Sequence, residues 1–412
     1  MPELLIILAL VFLVLATGSS VYWFVVLART QLVLRITPYL REGLHLPESE
    51  ELVSVIVPAH NEAKVIGKLV RSILDQRQAN LELIVVLDRC TDNSREILEV
   101  IRGGDDRLVI VTNDSCPEDW AGKCNAARVG VEKAKGEWLL FTDADVYFDT
   151  RVIRAALALI KARGLDLLSA YTTLTVKTWW ERFVQPVAAV MLLRQYPTDR
   201  VNNLDNPRSF ANGQFMLFKR SSYEAIGGHG AVKNDLLEDI AFARLVHAHK
   251  GLVSVVAGDG MLITSMYRNL GELLQGWKRI FIETTSRRAK KLRSYAIRLV
   301  GSGLGYLVDV LAIAIGCVLI TQGGVFIGIV ALVAGVIALV AQTSALLVIF
   351  SHSRFPLIGI LGWPIGCMLI AWTLLAGARD IREKRPLYWG GRAYRFGPNG
   401  TLESGVDTCE SS

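Results

Sequence analysis

An uncharged apolar run near the start, Leu4 to Leu27, constrains this chain more than any other feature. Its 24 residues are enough to cross, as a helix, a bilayer core of about 30 Å. No Lys or Arg precedes it, and the run continues past the small residues at Ala16 to Ser20. It therefore reads as an anchor over residues 1–28 rather than a cleaved leader. Arg29, Arg35 and Arg41 follow, and the positive-inside rule puts residue 29 onward in the cytoplasm. Further apolar stretches at 299–320, 325–350 and 356–376 give a block of C-terminal spans over 299–377. Asp309 sits inside the first of them, where a carboxylate is costly and is expected to face other helices. Three crossings would leave the C-terminus outside. The basic tail, 378–412, carries Arg379, Arg382, Lys384, Arg385, Arg392 and Arg395, which argues for inside. A re-entrant segment would reconcile the two, and the stretch from Pro356, interrupted by Pro364, is the candidate. The sequence leaves that choice open.

Spans alone do not account for 45 Lys and Arg and 39 Asp and Glu. Charged residues make up 20% and apolar ones 51%, against about 25% charged in soluble domains. A soluble domain tethered to a few membrane helices fits both numbers. Disorder, collagen and a disulfide-rich scaffold are excluded. The net charge of +6 is concentrated beside the apolar stretches, which suits an anionic membrane surface and not a nucleic acid. Cys90, Cys116, Cys124, Cys317, Cys367 and Cys409 form no CxxC pair, so a reducing compartment and no zinc site are expected.

Between about 51 and 171 the pattern changes. VSVIVP (53–58), LELIVVLD (81–88), LVIVT (108–112) and WLLFTDAD (138–145) read as strands, with helices near 62–78, 91–102 and 121–135. Continuous apolar strands alternating with helices predict an α/β domain with a mostly parallel, Rossmann-like sheet. Ligands of such sheets sit beyond the carboxyl ends of the strands. His60, Asn61, Glu62, Asp88 and the pair Asp143 and Asp145 all fall there. Residues 177–196 and 270–283 carry apolar stripes at helical spacing with Trp at the edge, and are read as helices in the membrane interface; the plain alternative is that the stripes pack on the soluble domain.

Asp143 and Asp145, two apart on one strand, share a face and suit a hard divalent cation, Mg²⁺ or Mn²⁺, that also holds a diphosphate. The bland alternative is a solvated turn. The ordered stretches SVIVPAHNE, ELIVVLDRCTDNS and WAGKCNAARVGVEKAKGEWLLFTDAD resemble a family 2 glycosyltransferase of GT-A fold over 51–280. Within it the chain is most similar to membrane-associated enzymes that glycosylate lipids, such as hopanoid-associated and carotenoid glycosyltransferases, with ceramide glucosyltransferase more distant.

The resemblance implies the roles. His60, Asn61 and Glu62 match the turn that meets the nucleotide, and Asp88 would bind uracil or ribose. The preceding acidic position of the family is Leu87 here. Lys123, Asn125 and Asp143 would approach the diphosphate, and Asn212, Gly213 and Gln214 would line the acceptor pocket. The aspartate of an ED pair is the family's general base, which makes Asp239 the base and Glu238 its rival. The plain alternative is that both favour a helix N-terminus. Gln275, Trp277, Lys278 and Arg279 match the processive-synthase QxxRW stretch, but no Trp follows Arg279. The expectation is an inverting, metal-dependent transfer of one sugar from a UDP-linked donor to a membrane-lipid hydroxyl. Its rivals are a processive polysaccharide synthase and a non-catalytic membrane scaffold.

Overall fold

The computed structural model describes residues 2–78, 80–389, 392–396 and 402–407. The chain opens with helix α1 (Pro2–Ile36), which runs past the apolar stretch that starts it. A βα succession follows: β1 (Val53–Ala59), α2 (Ile66–Leu74), β2 (Leu81–Asp88), α3 (Ser94–Arg102), β3 (Leu108–Asn113), α4 (Gly122–Val131) and β4 (Trp138–Phe141). Next come β5 (Val146–Phe148), α5 (Val152–Ala162), β6 (Leu167–Tyr171), β7 (Thr173–Leu174), α6 (Trp179–Phe183) and α7 (Gln185–Gln195). Then come α8 (Thr198–Val201), β8 (Met216–Lys219), α9 (Arg220–Ala225), α10 (Gly228–Ala231), α11 (Glu238–Ala248), β9 (Val253–Ala257) and β10 (Leu262–Thr264). The chain continues with α12 (Leu270–Thr284), α13 (Ala289–Thr321), α14 (Val325–His352), α15 (Trp363–Arg382), β11 (Leu387–Trp389), β12 (Arg392–Phe396) and β13 (Leu402–Asp407).

Two compact units result. The sheet unit comprises 37–175, 196–268 and 380–412; the membrane unit comprises 1–36, 176–195 and 269–379. The stretches 176–195 and 269–280, adjacent in sequence to the sheet domain, thus cluster with the membrane helices, as their apolar stripes demand.

In the sheet unit the main sheet has the order β3-β2-β1-β4-β8-β6-β9. Its strands are parallel except β8, which runs antiparallel between β4 and β6. Alternate residues of β1 serve opposite faces, as a period of two requires. Val53, Val55 and Val57 pack with Ile66, Leu69 and Ile73 of α2, while Ile56 packs with Ala126 and Ala127 of α4. Gly130 lets α4 lie close on the sheet: a Cβ there would stand 2.6 Å from Ile56 Cγ2. One expectation is corrected. Strand β4 ends at Phe141, and Asp143-Ala144-Asp145 form the turn into β5 rather than the end of a strand running to 145. β5 leaves the main sheet to pair with β10, so the chain must turn there. The expected basic tail contributes a three-stranded antiparallel sheet, β11-β12-β13, and Cys409 lies outside the described residues.

In the membrane unit α1, α13 and α14 pack through small residues. Ala9, Leu319 and Ala331 form one layer, and Ala16, Ala312 and Ala338 the next. Close helix approach through such residues replaces the hydrophobic drive that lipid removes. Four helices among the described residues are long and apolar enough to cross a membrane: Glu3–Ile36, Ala289–Thr321, Val325–His352 and Leu357–Arg382. The expected helix over 177–196 is two helices, broken at Val184, and the stripe on α12 buries Leu273, Trp277 and Phe281.

Candidate active site

The site gathers at the carboxyl ends of β1, β2 and β3 and the turn after β4, together with the first turns of α4 and α11. After β1, Asn61 adopts φ +55°, a left-handed conformation that Asn tolerates. Its Oδ1 accepts from the backbone N–H of Thr91 at 2.8 Å and of Asp92 at 3.3 Å. Asp92 Oδ2 accepts from Ala63 N–H at 2.9 Å, and His60 Nδ1 lies 2.7 Å from the Asp88 carbonyl oxygen. His60, Asn61 and the loop after β2 therefore form one stitched rim. Glu62 beside them is pushed up to about 7 by burial, which the nearby Arg268 opposes and the charges of Asp143 and Asp92 reinforce.

Asp88 is placed at this rim, but its carboxylate is closed. Oδ2 takes the Arg89 guanidinium at 2.6 Å, Oδ1 takes Asn113 Nδ2 at 2.6 Å, and the side chain is 4% exposed. It holds Arg89 and Asn113 in place and presents little free edge. Asn125 is likewise buried: its Nδ2 donates to Ser115 O at 3.1 Å and its Oδ1 accepts from Arg128.

Lys123 joins the two acidic motifs. From the first turn of α4 its Nζ lies 2.6 Å from Asp143 Oδ1 and 2.6 Å from Glu238 Oε1. Burial opposes its charge, but these two carboxylates prevail and hold its pKa above the ordinary lysine value. Burial, then the charges of Asp143 and Glu62, push the Asp145 carboxyl well above the usual range. A carboxylate crowded by like charges is relieved by a hard dication, so Asp143 and Asp145 fit one by donor type. Among the described residues no group of three His, Cys, Asp or Glu side chains forms a complete metal site.

The ED pair divides. Glu238 is buried and paired with Lys123. Asp239 is half-buried, with Oδ2 accepting from Gly213 N–H at 2.8 Å and Oδ1 from Ile240 N–H at 2.7 Å. Both bonds favour the carboxylate. Burial and the neighbouring charge of Glu238 outweigh them and raise it to about 7. A side chain at Gly213 would crowd the site, since a Cβ would stand 3.0 Å from Lys123 Nζ and 3.3 Å from Asp239 Oδ2. Asn212 and Gln214 knit this turn into the sheet. Asn212 Nδ2 donates to Ala170 O at 2.9 Å, and Gln214 Oε1 accepts from Thr172 and Thr264. Gln275, Trp277, Lys278 and Arg279 lie on α12 in the membrane unit, where Trp277 is buried and stacks on Phe281.

Arg89, Asn113, Arg392 and Tyr394 escaped the sequence reading. Tyr394, fully buried on β12, accepts a hydrogen bond from Gly122 N–H at 3.3 Å. Arg392 donates to the carbonyls of Pro117 and Trp120. The tail thereby props the loop that delivers Lys123. Only the arginine directly after Asp88 had a local signal.

Residues 54–227 match the family described as Glycosyl transferase family 2. A 4,4'-diaponeurosporenoate glycosyltransferase of Staphylococcus aureus (strain USA300) is 29% identical over 234 residues, 56% of this chain and 60% of that protein. Its counterpart from strain MRSA252 is 30% identical over the same shares. The chain thus matches three-fifths of the length of these relatives. Among solved structures, mannosyltransferase PcManGT from Pyrobaculum calidifontis, in complex with GDP-Man and Mn2+, aligns with TM-score 0.50 at 16% identity. That alignment covers 92% of this chain and 99% of PcManGT. The fold is GT-A.

Proposed function

From a glycosyl transferase family 2 domain over residues 54–227, we propose a membrane-bound inverting glycosyltransferase. It moves a single sugar from a nucleotide diphosphate sugar to the hydroxyl of a membrane lipid, and its sheet unit faces the cytoplasm. The observation that carries this reading is Asp239. It is a half-buried carboxylate with a pKa near 7, oriented by two backbone N–H groups and one residue from the Lys123-bound Glu238. A base of that strength accepts a hydroxyl proton at neutral pH.

The step is a single displacement. The acceptor O–H proton passes to Asp239 Oδ as the oxygen bonds to the anomeric carbon. The bond from that carbon to the diphosphate oxygen breaks, and the nucleoside diphosphate leaves with the electron pair. Lys123, already positive, stands where negative charge gathers on the diphosphate. A bound Mg²⁺ or Mn²⁺ on Asp143 and Asp145 would neutralise the same leaving group. The buried Glu238 keeps Lys123 placed and is not the base.

The uridine expectation came from Asp88, whose carboxylate is engaged by Arg89 and Asn113. UDP-linked donors are therefore tested beside GDP-linked ones. The experiment is a panel of nucleotide sugars with total membrane lipid, read by mass spectrometry of the lipid fraction. A single-hexose adduct supports the proposal. A polymer, or donor binding without transfer, sinks it. Asp143→Ala with Asp145→Ala should abolish metal-dependent nucleotide binding in calorimetry, and unchanged affinity removes the metal site.

A further inference from the structure

The C-terminal sheet belongs to the sheet unit. Tyr394 is hydrogen-bonded to Gly122 N–H and packs with Ala121, Cys124 and Leu236, and Arg392 is buried against Pro117 and Trp120. No bilayer can lie between groups in such contact. The chain from 269 to 379 therefore crosses the membrane an even number of times. Three of its helices are long and apolar enough to cross: Ala289–Thr321, Val325–His352 and Leu357–Arg382. At least one of them does not.

The neighbours of each helix say which. α13 and α14 keep company with α1 in successive layers, through Ala16, Ala312 and Ala338 and then Ala9, Leu319 and Ala331. α15 meets that bundle at its start. Trp363 Nε1 donates to Ser302 Oγ at 3.2 Å, and a Cβ on Gly303 would meet Pro364, Cys367 and Met368. Gly366 then lies against the Phe183 carbonyl and Val187, and Gly377 against Lys278 and Ile282. At 1.5 Å per residue Gly377 is about 21 Å beyond Trp363. A crossing helix would have reached the opposite ends of α13 and α14 by then. Instead it rests on α12, whose Glu272, Lys278, Arg279 and Glu283 exclude the middle of a bilayer. The other side of α15 is apolar and exposed at Ile365, Trp372 and Leu375, as is Leu361 just before the helix.

We propose that α15 does not cross the membrane but lies along one leaflet, with its exposed stripe against lipid. α1, α13 and α14 make the only crossings among the described helices. The partner of the stripe is the boundary between headgroups and acyl chains, where Trp is favoured. The proposal does not depend on the chemistry of the site.

The test uses the full chain in cells, with native cysteines replaced and single cysteines introduced as Asp106→Cys, Gln322→Cys and Glu383→Cys. An impermeant maleimide should treat 106 and 383 alike and 322 oppositely. If 322 alone is labelled in intact cells, the sheet unit is also cytoplasmic. If 106 and 383 are labelled and 322 is protected, α15 still does not cross, and only the cytoplasmic orientation fails. Opposite behaviour of 106 and 383 overturns the proposal. Spin labels at 361, 365, 372 and 375 in lipid vesicles then read depth. One shallow depth for all four is expected, and a progression through the bilayer centre overturns the proposal independently.

Discussion

The sheet unit and the membrane unit bury acidic groups in opposite ways. In the sheet unit three site carboxylates taken out of water have donors on hand: Asp88 has Arg89 and Asn113, Glu238 has Lys123, and Asp239 has two backbone N–H groups. In the membrane unit Asp309 is fully buried with Ser19 Oγ at 3.3 Å on one oxygen and, among the described residues, no hydrogen-bond partner on the other. Gln342 Oε1 is similarly without a partner. The first arrangement fixes charge and the second holds helices by packing. Loss of one partner should therefore be severe in the sheet unit and mild in the membrane unit.

The largest effect is expected at Lys123, which neutralises two carboxylates at once. Lys123→Met leaves buried Glu238 uncompensated, and breaking a buried pair in this way costs about 3–5 kcal/mol. A large fall in denaturation midpoint and no detectable turnover are expected. Adding Glu238→Gln should restore much of the midpoint but no activity. Recovery of both would reduce Lys123 to a structural residue.

Next comes Asp239. Asp239→Asn keeps the shape but accepts no proton, so the rate with a hydroxyl acceptor should fall by about 10²–10⁴-fold. Donor affinity should barely change, because the change touches a transition-state contact. The sign of the pH dependence is fixed by the raised value. Below about 7 the acid form predominates and cannot act as base, so the rate should rise with pH and level off above it. Glu62 titrates in the same range, so Glu62→Gln is the control that must keep the profile. Near wild-type turnover in Asp239→Asn would mean that the acceptor gives no hydroxyl proton to this residue. A dead Glu238→Gln beside an active Asp239→Asn would move the base by one residue.

A smaller effect is expected at Tyr394, the tail's contact with the loop before α4. Tyr394→Phe keeps the buried ring but removes the acceptor of Gly122 N–H, and an unsatisfied buried donor costs about 1–3 kcal/mol. Faster amide exchange over 114–123 and weaker donor binding are the readouts. Unaltered exchange there would detach the tail from the site.

Much of this geometry could be read from local pattern. The apolar runs gave β1 to β4, position at strand ends singled out Glu62 and Asp143, and the family resemblance added Lys123 and the ED pair. What escaped depended on distant partners. Asp88 looked like a free ligand because Asn113, which closes it, sits at the end of a neighbouring parallel strand, 25 residues on. The strand through Asp145 was overrun because the residues after Phe141 stay partly apolar, while β10, which draws β5 away, lies far along the chain. The tail's Tyr394 carried no signal, since nothing local marks a tyrosine between arginines as buried. The parity of the crossings rests on that same residue.

The smallest effect belongs to Asp309, and it tests the comparison from its weak side. A carboxylate in a spanning helix invites the reading of a functional relay. Its surroundings argue otherwise: one hydroxyl at 3.3 Å, and a neighbouring layer of alanines at 16, 312 and 338. Asp309→Asn preserves the volume and the contact with Ser19. Hydrogen bonds between membrane helices are worth about 0.6 kcal/mol on average, because the unfolded state in lipid also finds partners. The variant should insert normally, keep wild-type glycosyl transfer, and shift detergent unfolding by under about 1 kcal/mol. Ser19→Ala should do no more, since it removes only that hydroxyl. A loss of turnover in Asp309→Asn with unchanged unfolding would overturn this account. It would make the membrane unit a participant in the chemistry and end the contrast between the two units.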